Sequence, residues 1–209
     1  VCRDAKIGAL GEGTGFATIA HELAHTLGAV DLYGAGARRN RSVTLMVATV
    51  SRTPDQHEFY HLDPWHKLRF GWVRPREIEI PSRSTTGAAS LRAPTSRGGY
   101  QPLLFHDPRR GETEYFLVEY RRQEGLDSDV SDTGIAIWHV ATNGRFTPYQ
   151  IPAAVGDGTD GSVNHVGAPP SPSRGGNGLW HPADGLISLS WLDGPDSGLR
   201  LRVLSATGA

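Results

Sequence analysis

One cysteine, one methionine and two lysines are all that 209 residues contain of these three types. The lone Cys2 excludes an internal disulfide, so packing and hydrogen bonding must hold the fold. A thiol that blocks a metal in a latent enzyme is the alternative reading of Cys2. No apolar run approaches the roughly 20 residues that span a bilayer, and no signal peptide pattern is present. Charge of either sign is also missing in excess: 21 Lys and Arg stand against 22 Asp and Glu. Neither nucleic acid nor an anionic membrane is therefore indicated as a partner. Lysine occurs only at Lys6 and Lys67, which leaves the positive charge almost wholly to arginine. The length allows one large domain or two small ones. The chain opens on Val1 instead of Met, and residues upstream are expected to have been removed or omitted.

What is present in concentrated form is the stretch His21-Glu22-Leu23-Ala24-His25-Thr26-Leu27-Gly28-Ala29-Val30-Asp31. A helix turns once every 3.6 residues, so His21 and His25 share a face on which two imidazoles can hold one metal ion. Three protein ligands on zinc leave one position for water, and an adjacent carboxylate such as Glu22 can take that water's proton. Gly28 ends the helix and lets the chain turn back. Asp31, three residues on, stands where the longer zincin pattern places a third histidine. Phe16, Ile19, Ala20, Leu23, Ala24 and Leu27 recur at helical spacing and are expected to form the buried stripe. Thr18, His21, Glu22 and His25 occupy the other face. Thr14 is the expected N-cap, after Gly11 and Gly13 and before Gly15.

In these residues the chain resembles the immune inhibitor A family of secreted bacterial metalloproteases, whose zinc helix ends in the same Gly-x-x-Asp followed by Tyr two residues later, here Tyr33. The likeness continues through Leu45-Met46, similar to the family's Met-turn, and Leu62 to Trp72, similar to its Trp-Lys-Gly-Trp helix. Two later segments, Tyr115 to Arg121 and Gly134 to Val140, resemble family strands. The resemblance implies a zinc endopeptidase that acts on proteins or peptides, with His21, His25 and Asp31 as ligands, Glu22 as the base and Met46 as an apolar floor. It also implies secretion. Ala48 departs from the wider clan, many of whose members place there a tyrosine that steadies the oxyanion. Tyr33, His57, Tyr60, His61 and His66 are the candidates for that role or for substrate contact. The resemblance further implies a sheet before the zinc helix, and residues 1 to 13 are too few and too rich in glycine to supply one.

Beyond the motif, Asp63 is a natural N-cap, Pro64 suits the first helical position and Gly71 a C-terminal stop. Trp65 and Trp72 are expected to pack beneath the site. His57, His61 and His66 with Glu58 suggest either a second metal site or ordinary surface histidines. Glu58, Glu77 and Glu79 are rival third ligands, but Arg76 to Ile80 alternates as a strand between Pro75 and Pro81.

Residues 1–80 should carry the zinc helix, Met-turn and following helix. Residues 81–209 should form a β-rich part, giving an α+β chain of metzincin-like type with an antiparallel sheet or sandwich on the helices. Strands are expected at 89–92, 102–105, 114–122, 134–140, 185–192 and 199–204. Residues 143–185, dense in Gly, Pro, Ser and Asp, read as a long loop. Asp127, Asp129 and Asp132, or Asp157 and Asp160, could hold Ca2+, with turn formation as the alternative. A second reading of the whole chain makes it an accessory binding module with a residual zinc site. The intact Glu22 argues for catalysis.

Overall fold

The computed structural model describes residues 15–32, 43–46, 61–80, 86–96, 98–111, 113–130, 132–141, 162–166, 168 and 178–206. Cys2, Thr14, Tyr33, Ala48, His57, Glu58, Tyr60, Asp157 and Asp160 lie outside them. The described residues are α+β, with two α-helices, α1 (Phe16–Thr26) and α2 (Pro64–Arg69), and sheets that are mostly antiparallel. No helix among the described residues is long and apolar enough to cross a membrane.

Five strands form the main sheet in the order of the chain: β1 (Arg76–Glu79), β2 (Leu103–His106), β3 (Glu114–Arg121), β4 (Gly134–Ala141) and β5 (Ser162–His165). Only the β1–β2 pair is parallel, and the other three are antiparallel. The sequence division at residue 80 thus falls between two paired strands. A separate hairpin, β6 (Leu186–Ser190) and β7 (Asp196–Arg202), completes the described elements. A two-stranded hairpin is marginal alone. Here Ile187, Leu189 and Leu199 are buried against Phe116, Val118 and Ile137 of the main sheet.

Side chains alternate across a strand, so the opposite face of β3 and β4 presents Leu117, Ala136, Trp138 and Val140. That face packs on Ala17 and Ala24 of α1, on Leu32, Met46 and Leu62, and on Trp65 of α2. The result is three layers: helices, five-stranded sheet, hairpin. The middle layer is buried on both sides, which explains why β3 reads as a nearly continuous buried run.

Several expectations are corrected. Of the apolar stripe assigned to α1 only Ala24 is buried, whereas Phe16, Leu23 and Leu27 are 50%, 58% and 59% exposed. Ala17 and His21 face inward with Ala24, because two alanines let the helix approach the core closely while His21 turns toward Leu45. The N-cap is Gly15, with no side-chain cap. Trp65 packs in the core, but Trp72 is 56% exposed. Residues 89–92 are not a strand, and β5 lies inside the stretch read as a loop, paired with β4.

The ends of α2 follow the sequence closely. Asp63 accepts from the His66 N–H, Pro64 occupies the first turn, and Gly71 takes φ 69°. Its N–H reaches the Leu68 carbonyl while that of Trp72 reaches Lys67, a Schellman closure.

Candidate metal centre

The same closure ends α1 and builds the site. Gly28 adopts φ 95°, its N–H bonds to the His25 carbonyl, and the Ala29 N–H bonds to Ala24. The chain therefore reverses at once, which places the Ala29 carbonyl 2.9 Å from His25 Nδ1 and carries Asp31 back over the helix. The neighbouring loop, residues 43–46, supplies the second support. His21 Nδ1 lies 2.9 Å from the Leu45 carbonyl, and the Leu32 N–H donates to the Met46 carbonyl at 2.7 Å.

A carbonyl can only accept, so each Nδ1 carries the proton and each Nε2 presents a lone pair. Those lone pairs meet the Asp31 carboxylate. His21 Nε2 and His25 Nε2 are 3.1 Å apart, and Asp31 Oδ1 lies 3.1 Å from the first and 3.2 Å from the second. Two ligands about 2.0–2.1 Å from a tetrahedral zinc stand about 3.3 Å apart, so the triangle has the size of one face of such a site. Three acceptors this close repel one another unless a cation or a proton lies among them. The donor set fits a metal ion, and among the described residues this is the one group of histidine, cysteine and acidic side chains that could hold one.

The electrostatics agree. Burial pulls the His21 ring down, but the hydrogen bond that a protonated Nε2 would donate to Asp31, the bond to Leu45 and the charges of Asp31 and Glu22 leave its pKa above the usual value. The site thus favours positive charge at the Nε2 position. Glu22, half-buried on the next position of α1, is near enough for its charge to act on His21.

Met46 is fully buried in the core under the helices, and its backbone pairs with the residue that follows Asp31. His66 is fully buried and has both ring nitrogens engaged: Nδ1 lies 2.7 Å from Asp63 Oδ2, and Nε2 accepts from the Val30 N–H at 3.0 Å. It braces the residue before Asp31 and does not face a cleft. His61 is not part of this group and lines a groove with Phe16 and Trp72. Burial and the nearby Lys67 charge hold its ring down at about 4.

Of the oxygen-rich segments, Asp127 is fully buried against Arg121 and the His61 N–H. Asp132 accepts from the Leu179 N–H and lies 2.9 Å from His181 Nε2. Both carboxylates are committed to the fold, and the described residues gather no calcium cluster there.

Sequence reasoning missed the buried charges behind the site. Arg121 and Glu119 are both fully buried, and Arg121 binds Glu119, Asp127 and the Val43 carbonyl. The available signal was their spacing: Leu117, Glu119 and Arg121 alternate onto the one strand face that meets the helices. Through Val43, this ion group anchors the start of the loop whose Leu45 carbonyl orients His21.

Comparison of the chain with protein-family models, with curated proteins and with solved structures finds no match.

Proposed function

We propose that the chain is a zinc-dependent endopeptidase of the immune inhibitor A type, with a metzincin-like site and a secreted setting. The observation that carries the reading is the convergence of His21 Nε2, His25 Nε2 and Asp31 Oδ1 within 3.2 Å of one another, beside Glu22. A zinc ion held by these three ligands supplies Lewis acidity toward a water and a peptide carbonyl.

The remaining chemistry belongs to the chain. The Leu45 and Ala29 carbonyls fix the tautomers of His21 and His25, which keeps both Nε2 atoms unprotonated for the metal. Glu22 accepts the proton of the attacking water and delivers it to the departing amine. Two neutral imidazoles and one carboxylate would leave a divalent ion bound by His21, His25 and Asp31 with net positive charge, which would favour a developing oxyanion. Met46 forms the apolar floor beneath the ligands. Its burial supports that reading.

The test is Glu22→Gln. The variant should bind zinc at the stoichiometry of the parent and lose casein hydrolysis by about a hundredfold or more. Hydrolysis at the parental rate would sink the assignment of the base. Absence of bound zinc in the parent would sink the whole reading.

A further inference from the structure

On another side of α1 the structure holds a groove of about 410 Å³, within the range of ligand sites, that the proposed chemistry leaves unused. Phe16, Trp72 and Leu126 form its rim, each about half exposed. Three large apolar side chains held open to water around one concavity mark a binding surface. At about 100° per residue, Ala20 and Phe16 stand more than 100° around the helix from Glu22. The groove is therefore distinct from the face that carries the base.

Its interior is not wholly apolar. Lys67 lines it, is buried at 6% exposure, and its Nζ has no hydrogen-bond partner among the described residues. The ammonium sits 4.5 Å from the centroid of the Tyr100 ring, which also lines the groove. Burial lowers its pKa to about 8 although Glu119 lies near. A buried ammonium has three donors, and leaving them unmade is costly. An acceptor entering the groove would relieve that cost.

Charge decides which acceptor. The buried group around Lys67 contains the carboxylates of Glu119, Asp127 and Asp63 against the cations Arg121 and Lys67, three negative charges to two positive. An incoming carboxylate would add a fourth negative charge in a low-dielectric setting. A neutral carbonyl oxygen adds none and still accepts from the ammonium.

We propose that this groove binds an apolar residue of a peptide, with the side chain between Phe16, Trp72 and Leu126 and a main-chain carbonyl oxygen accepting from Lys67. It is a peptide-docking site separate from the cleavage site. Its binding does not depend on the metal chemistry.

The experiment titrates the full chain, carrying Glu22→Gln so that turnover plays no part, with N-acetylphenylalaninamide, N-acetylphenylalanine and toluene, read by tryptophan fluorescence and amide NMR shifts. The neutral amide should bind saturably and more tightly than the acid. Lys67→Met should weaken the amide by about tenfold and leave toluene unchanged, since toluene offers no acceptor. Phe16→Ser, on the exposed rim, should weaken all three. Thermal melting establishes that each variant is folded. Equal or tighter binding of the acid in the parent overturns the proposal without recourse to any variant. So does failure of the amide to bind, or an equal loss of amide and toluene in Lys67→Met.

Discussion

His66 accepts a hydrogen bond from the backbone N–H of Val30 at 3.0 Å, across 36 residues of sequence. That bond ties α2 to the residue before Asp31, the third member of the candidate metal triad. It also sets the His66 tautomer: with Nε2 accepting, the proton resides on Nδ1 and is donated to Asp63 at 2.7 Å. Burial alone would raise the Asp63 carboxyl, but the His66 ring and N–H together with the Thr44 hydroxyl hold it down at about 2. Thr44, Asp63, His66 and Val30 form one buried chain of hydrogen bonds, running from the Met46 loop to the Asp31 loop.

His66→Phe keeps an aromatic ring near Trp65 and Phe70 but removes the acceptor for Val30 and the donor for Asp63. Leaving a buried N–H unsatisfied costs about 1–3 kcal/mol. Urea unfolding of the metal-free protein should register a loss of that size. Zinc affinity, followed by competition with a chromophoric chelator, should fall by about tenfold because Asp31 is no longer held in register. Unchanged values in both measurements would show that the chain of bonds is incidental.

The His21, His25 and Asp31 triad was legible in the sequence because it is local. Eleven residues contain the helical spacing, the glycine that reverses the chain and the returning aspartate, and the two Schellman closures are written in Gly28 and Gly71. Asp63 and Pro64 announced α2 for the same reason, and the apolar and aromatic runs of β3 and β4 announced the sheet. What was illegible depends on partners far away in sequence. Nothing in residues 16–27 says which face meets the sheet, and the bulkier apolar side chains misled where two alanines gave the closer approach. β5 hides in a stretch rich in Gly and Pro because its register comes from β4. His66 reads as a surface histidine until Val30 is brought to it. Glu119, Arg121 and Lys67 read as solvent-facing until the helical layer covers them.

Acid should weaken the fold in two steps. In the unfolded chain His61 titrates near the ordinary histidine value of 6.5, whereas burial and the Lys67 charge lower it to about 4 in the folded state. Between these values the unfolded state binds a proton that the folded state refuses, so stability rises with pH across that window. His61→Asn should flatten the dependence between about pH 4 and 6.5. The Asp63 contribution is present above 3.8 and is lost as pH falls toward about 2, so it should survive in this variant. Urea midpoints of both proteins at pH 4.5 and pH 7 provide the comparison. Parallel midpoints would place the acid sensitivity in other groups.

Gly28 carries the sharpest backbone demand in the site, with φ 95° at the point where the chain turns from His25 toward Asp31. A Cβ added there would meet no atom within 4 Å, so substitution is opposed by backbone conformation and not by crowding. The left-handed region costs an ordinary side chain about 1–2 kcal/mol, asparagine less, and a β-branched residue more. Replacement of Gly28 by Asn, Ala and Val should therefore lower the melting temperature progressively in that order. Zinc affinity should follow the same order, because relief of the strain moves the Ala29 carbonyl that orients His25 and the segment that delivers Asp31. If the three variants melted together, the left-handed backbone at residue 28 would not govern the stability of the turn. If stability fell in order while zinc affinity stayed constant, the turn would serve the helix end alone, and the coupling between the closure of α1 and the ligand geometry would be lost.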